Sequence, residues 1–255
     1  MIKDSFNEAY RELAEMILYS PEYTITSKDG ADLSEIVDFK FTVTDPTKCF
    51  ATCRQLSMSY LRGELKFYLS GSPFVEDITV HSKFWNKISD DGRTVNSNYG
   101  KLLLHDRNLH NYTQFEYAEE MLTRNIESKK AVMVIYNKDH AYKSKDNPCT
   151  MFLQFVVREG ILHLYVKMRS SDIWFGLPYD VPFFCLIQLM MVNRLEQKGM
   201  DVSVGTYNHQ STSLHLYERN RSEIVNSFRE TDNGKELSQE HLFSTTIKPF
   251  LTWRK

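Results

Sequence analysis

Long apolar runs are missing from this sequence. No stretch reaches the roughly 18 uncharged apolar residues that a membrane-crossing helix needs, so no membrane span is expected. An excess of one charge is missing too. The 31 Lys and Arg against 33 Asp and Glu leave a formal net charge of −2, which lacks the footprint of a nucleic-acid or membrane surface. The first twenty residues, MIKDSFNEAYRELAEMILYS, carry acids throughout and have no signal-peptide core. Four cysteines (Cys49, Cys53, Cys149, Cys185) in 255 residues are too few for a disulfide scaffold and point to a reducing, cytoplasmic setting. Cys49 and Cys53 have metal-like spacing, but no second ligand pair follows, so no metal is expected. A Gly-rich phosphate loop, His-Glu-x-x-His and Gly-x-Ser-x-Gly are all absent. His81, His105, His110 and His140 are scattered and read as surface or loop residues.

What is present is a mixed order of helix and strand patterns. Phe6, Tyr10, Leu13, Ile17 and Leu18 fall at helical spacing over 5–19, with Ser5 and Glu8 as a capping box. SKDG (27–30) is a turn, and EIVDFKFTV (35–43) alternates as a strand. The spacing predicts a helix over 53–71 stopping at Gly71, a short one over 82–89 and another over 111–127. A buried strand follows at 131–136, then two strands within 149–168 around a Glu-Gly turn. Residues 181–199 form a largely apolar, hence central, helix. MDVSVGTYN and TSLHLY read as two strands, with a helix from about 219. No repeat, linker or low-complexity tract divides the chain. The expectation is one α+β (α/β) domain over 1–255, a mixed sheet packed by helices.

One stretch concentrates polar groups. MRSSDIWFGLPYD (168–180) sets an arginine, two serines and two aspartates around a Gly-Leu-Pro turn, just before the central helix. Upstream, NPC (147–149) runs into a strand; downstream lie SLHLY (213–217) and, nearer the N-terminus, NSNYG (96–100). In order and spacing, over roughly 25–217, these blocks resemble the thymidylate synthase family. That family has a Pro-Cys nucleophile, an Arg-Ser-x-Asp segment, Gly-Leu-Pro-Phe-Asn opening a helix, a His-x-Tyr strand and a Tyr-Gly segment. The resemblance implies that family's fold, with a homodimer formed through the sheet and sites shared across subunits.

The departures narrow the reading. The family's asparagine after Gly-Leu-Pro-Phe is Asp180, the histidine after the nucleophile is Thr150, and the glutamine before the arginine is Met168. This combination resembles the deoxycytidylate hydroxymethylases of phages. Cytosine offers an N4 amino donor and a bare N3. A carboxylate accepts from N4, and from N3 once it is protonated, whereas uracil's O4 would face it as a second acceptor. An acid at a helix start is also a common N-cap, and that role is open for Asp180.

The resemblance distributes roles. Cys149 is the nucleophile, and Arg169 lowers its thiol pKa. Glu64 and Tyr99 handle proton transfers and Asp180 holds the base. Arg169, Ser170, Ser171 and Lys28 bind the 5′-phosphate, joined by Lys129 and Lys130 from the partner subunit. His215 and Tyr217 meet the sugar. Trp85, Asp172 and Gly176 meet the folate cosubstrate, 5,10-methylenetetrahydrofolate. The implied activity converts dCMP to 5-hydroxymethyl-dCMP and tetrahydrofolate, in the cytoplasm of a phage-infected bacterium. Methylation of dCMP, hydroxymethylation of CMP and a non-catalytic nucleotide or RNA binder stay open as alternatives.

Overall fold

Alternating apolar and polar side chains build the sheet. The computed structural model describes residues 1–27, 30–232 and 237–252, which hold seven strands in one mixed sheet. These are β1 (Ile2–Lys3), β2 (Tyr23–Thr26), β3 (Asp32–Val43), β4 (Val132–Val134), β5 (Thr150–Arg158), β6 (Ile161–Asp172) and β7 (Ser203–Tyr217). The order is β1-β3-β7-β6-β5-β4, and β2 also pairs with β3. The β1–β3 and β6–β7 pairs are parallel; the others are antiparallel. The helices are α1 (Phe6–Tyr19), α2 (Met58–Ser70), α3 (Glu76–Thr79), α4 (Phe84–Ile88), α5 (Gln114–Arg124), α6 (Leu177–Gln197), α7 (Arg221–Glu230) and α8 (Gln239–Leu242). The α+β class and the helix-packed mixed sheet match the expectation from sequence.

Three elements differ from their predicted form. α2 begins at Met58, capped by the Ser57 hydroxyl, because residues 53–57 are held as a loop: the Cys53 N–H donates to Asn7 Oδ1 at 2.6 Å. It does stop at Gly71, whose φ of 68° suits a left-handed cap. The two strands expected within 200–217 are one continuous β7, bonded to β3 on one side and β6 on the other. α6 starts at Leu177, four residues early. Pro178 fits its first turn, where a missing N–H costs nothing.

That early start corrects the capping role left open for Asp180. Gly176 is the N-cap, and Asp180 is already helical, its N–H donating to Gly176 O at 3.0 Å. Its side chain is released from capping and turned toward the cluster described below.

α6 is buried on nearly every face. Its Gln188 donates to the carbonyls of Leu162, Gly205 and Thr206, where the β6–β7 register shifts and ladder partners are lost. Along β6, Leu162, Leu164, Val166 and Met168 face this core. The opposite face keeps Phe152, Ile161 and Tyr165 exposed, Tyr165 at 45%. No described helix is long and apolar enough to cross a membrane.

Candidate active site

The polar groups of 168–180 gather where β5 begins, β6 ends and α6 starts. Cys149 is half-buried, one residue before β5. The Arg169 N–H donates to Cys149 O at 2.8 Å, and its guanidinium donates to the carbonyls of Pro148 (3.0 Å) and Asn147 (2.9 Å). Arg169 thus clamps the loop that carries the thiol. Arg169 pulls the Cys149 thiol pKa down as expected, but other effects outweigh it. Burial pushes the Cys149 thiol up to about 11; Arg169 opposes this, while Asp180, Asp172 and Asp146 add to it. Lost hydration outweighs one cation that is also exposed to solvent.

Asp180 is half-buried, yet its carboxyl makes no hydrogen bond to a described residue. Burial, then the nearby Glu64 and Asp172 carboxyls, raise its pKa well above the ordinary range. This favours its protonated form, which has one donor and one acceptor, more than in an ordinary aspartate.

Glu64, on α2, is 6% exposed. Tyr60 donates to its Oε1 at 2.7 Å and Tyr68 at 3.5 Å. Burial raises its pKa to about 7 against the pull of those two phenols. Tyr99 stacks on Tyr68 and Phe184 and lies beside Thr150, Cys149 and Asp180. Burial keeps its phenol protonated far above neutrality. Thr150 Oγ1 is buried with no hydrogen-bond partner.

On the sugar–phosphate side, Ser170 Oγ lies 3.3 Å from His215 Nδ1, and the His215 and Tyr217 rings meet edge to face. Burial lowers the His215 pKa, favouring neutral imidazole. Ser171 leaves the expected set. It is 2% exposed and turned inward, bonded to Ser211 at 2.6 Å and to His209 at 3.3 Å. Lys28 lies outside the described residues. Lys129 and Lys130 are exposed and far from this chain's own Cys149. β4 pairs Val132 with Gln154, so Lys130 sits about 20 Å along β5 from the thiol.

For the expected folate residues the outcome is mixed. Asp172 Oδ1 accepts from the N–H groups of Trp174 (2.7 Å) and Phe175 (3.1 Å), leaving Oδ2 free of protein partners. A Cβ on Gly176 would meet Asp172 O at 3.2 Å and Asp180 Oδ2 at 3.3 Å, so that cradle takes only glycine without displacing the carboxyl. Trp85 does not present the open ring the resemblance implied. It is 6% exposed, packs on Phe67 and donates its indole N–H to Tyr60 at 3.2 Å.

The family model described as Thymidylate synthase matches residues 8–246. The chain belongs to the thymidylate synthase family. Deoxycytidylate 5-hydroxymethyltransferases of Enterobacteria phages T4 and T6 are each 27% identical to it over 230 residues, covering 86% of this chain and 89% of theirs. A thymidylate synthase of Vesicomyosocius okutanii is 23% identical over 164 residues, 63% of this chain and 60% of its own. The protein is accordingly a one-carbon transferase of the thymidylate synthase family, whose substrates are a nucleotide monophosphate and methylenetetrahydrofolate. Among the described residues no group of three or more His, Cys, Asp and Glu side chains could hold a metal ion.

Sequence reasoning missed several groups in this thymidylate synthase site. Asp146, 4% exposed, accepts from the N–H groups of Asn96 (2.6 Å) and Ser97 (3.1 Å) and from the Ser97 hydroxyl. It ties the Tyr99 loop to the Cys149 loop. Asp90 adds a third loop, accepting from Ser144 Oγ, Lys145 N–H and the Asn96 amide. Arg54 is buried between Trp174 and Tyr179, its guanidinium 4.0 Å from the Trp174 ring centre and its Nε without a partner. Tyr60 sits one turn from Glu64. Only that last spacing was readable beforehand, as i and i+4 on a helix.

Proposed function

We propose that the protein is a deoxycytidylate 5-hydroxymethyltransferase. The observation that carries the reading is the Asp180 carboxyl, half-buried, without a hydrogen-bond partner among the described residues and beside Cys149 and Tyr99 where the family's asparagine would stand. The two phage relatives bear that activity in their names and cover most of this chain.

The raised pKa of Asp180 refines its role. As a neutral acid it accepts from the N4 amino group through its carbonyl and donates its O–H to bare N3. As the Cys149 sulfur adds to C6, negative charge grows toward N3 and the Asp180 proton moves there. The interaction is then an ion-paired hydrogen bond, stronger in the adduct than in the free base, as catalysis requires. The thiol's own proton passes to solvent, Asp180 is left as the carboxylate paired with N3–H, and both protons return when Cys149 is expelled. C5 becomes nucleophilic. Bound methylenetetrahydrofolate supplies the one-carbon unit. Glu64, poised near neutrality, takes the C5 proton, with the Tyr99 hydroxyl able only to relay it, and tetrahydrofolate leaves as the exocyclic methylene forms. Water then adds to the exocyclic methylene on C5, and expulsion of Cys149 releases the hydroxymethyl product.

The residues present fit a folate ring. Gly176 leaves a cradle, Asp172 Oδ2 is free to accept, and Phe175, next to Gly176 in sequence, stands exposed. Ser170, Arg169, His215 and Tyr217 hold the phosphate and sugar. A second copy docks on the open sheet face of Phe152, Ile161 and Tyr165, which brings Lys129 and Lys130 to the partner's phosphate. Apolar exposure on that face and the distance of both lysines from their own thiol support this arrangement. Residues 1–255 act as one catalytic domain.

The test is dCMP with methylenetetrahydrofolate and a mass measurement of the product. A gain of 30 Da without absorbance growth at 340 nm is expected. A gain of 14 Da with that growth marks methylation instead, and conversion of CMP but not dCMP marks a ribonucleotide enzyme.

A further inference from the structure

Tyr60 has no role in the reaction as set out so far, yet its hydroxyl occupies a constrained place. It lies on α2 one turn before Glu64 and donates to Glu64 Oε1 at 2.7 Å. The Trp85 indole donates to the same hydroxyl at 3.2 Å. An indole N–H can only donate, so the phenol oxygen must be the acceptor there. Its single proton is then directed at Glu64. The ring is fixed as well, edge to face on Tyr179 at 4.9 Å between ring centres, next in sequence to Asp180.

We propose that Tyr60 is a positioning residue for the proton transfers: clamped by Trp85, it holds the Glu64 carboxyl in place and keeps it usable as a base. This rests on the reading of Glu64 as the group that takes the C5 proton. Facing Glu64 are Tyr60 and Tyr68 from its own helix and Asp180 from α6. A carboxyl and a phenol carry no positive charge in any protonation state, so none of them offers Glu64 a cation. Among the described residues, two phenolic hydrogen bonds support it against burial, and the shorter is Tyr60's. A donor of this kind favours the ionised carboxylate; without it the proton binds more tightly and the base is lost at neutral pH.

The experiment compares wild type with Tyr60→Phe, following tritium release from C5-labelled dCMP between pH 5 and 9. The acid limb of the kcat profile is expected to move up by about one to two pH units, the worth of one hydrogen bond to a charged group. KM for dCMP should change less than about twofold, and the rate should recover at pH 9. Titration of glutamate carboxyls by carbon-13 NMR in the ligand-free protein gives the same shift without turnover. Trp85→Phe, which frees the Tyr60 hydroxyl, should shift the limb in the same direction by less. An unmoved limb, or a loss equal at every pH, overturns the inference. If wild type releases no tritium from dCMP, the substrate reading fails instead, and the NMR titration alone decides the role of Tyr60.

Discussion

Glu64 on α2 and Asp180 on α6 present two buried carboxyls to one cluster, and burial raises both. They differ in company. Glu64 is met by two phenol donors, which bring it back to about 7. Asp180 is met by no donor and by two further acids, so it stays protonated well above the ordinary carboxylate range. The corner at α2 is complete in the free protein and suited to passing protons near neutral pH. The corner at α6 is unsatisfied until a ligand pairs with it.

In the proposed reaction both corners serve one covalent adduct, so removing the sulfur should break the comparison outright. Cys149→Ser should lower turnover at least about a hundredfold while dCMP still binds, because a hydroxyl is a weak nucleophile at its free pKa. Tritium release and calorimetric binding check the two halves of that statement.

Asp180→Asn tests the unsatisfied corner. The amide keeps the shape and pairs with uracil, but it has no proton to give N3. The ratio of kcat/KM for dCMP over dUMP should fall by about a thousandfold or more, with kcat for dCMP reduced as well as binding. A ratio that moves less than about tenfold would leave Asp180 without a part in base selection.

Glu64→Gln tests the satisfied corner. Tritium release should drop about a hundredfold or more with little change in dCMP affinity. Stability should move the other way. The folded carboxyl titrates near 7 against an ordinary 4.5, so the folded state binds its proton more tightly than the unfolded chain. The resulting cost is absent below pH 4.5, grows through the window and is complete above 7, where it reaches at most about 3 kcal/mol. Denaturation midpoints should therefore favour Glu64→Gln at pH 8 and match wild type at pH 4.

The two corners were not equally legible in the sequence. Asp180 stood out as a departure at a fixed place in a motif, and the pattern of apolar residues located α6 and the β5–β6 hairpin around it. The rise in its pKa was hidden, since that depends on burial and on Glu64, an acid from a distant segment, as well as on Asp172. The same holds for the Cys149 thiol: Arg169 was visible nearby, but the desolvation that outweighs it was not. Ser171 was misplaced because sequence adjacency to Ser170 says nothing about which side chain turns inward. The Asp146 and Asp90 clasps join residues about fifty positions apart and are loop contacts without periodicity, so no local pattern announces them. Glu64 was placed by spacing, and its phenol partners were left unread as helix surface.

The smallest effect expected concerns a third region, the lysines that both corners lack. Nothing in this chain's own site uses Lys129 or Lys130, and a solvated loop is the ordinary fate of exposed lysines. If they reach a partner's phosphate, Lys130→Ala should raise KM for dCMP by about three- to tenfold, the loss of one exposed charge contact, and leave kcat nearly unchanged. The sharper measurement is complementation. A heterodimer of Lys130→Ala with Cys149→Ser contains one site with an intact thiol, and the lysine serving it comes from the Cys149→Ser chain. Mixed subunits should then regain low-KM activity in about one site of each heterodimer, half of the wild-type maximum. Were the lysines to serve their own chain's thiol, every thiol-bearing site would lack Lys130 and KM would stay high at every mixing ratio.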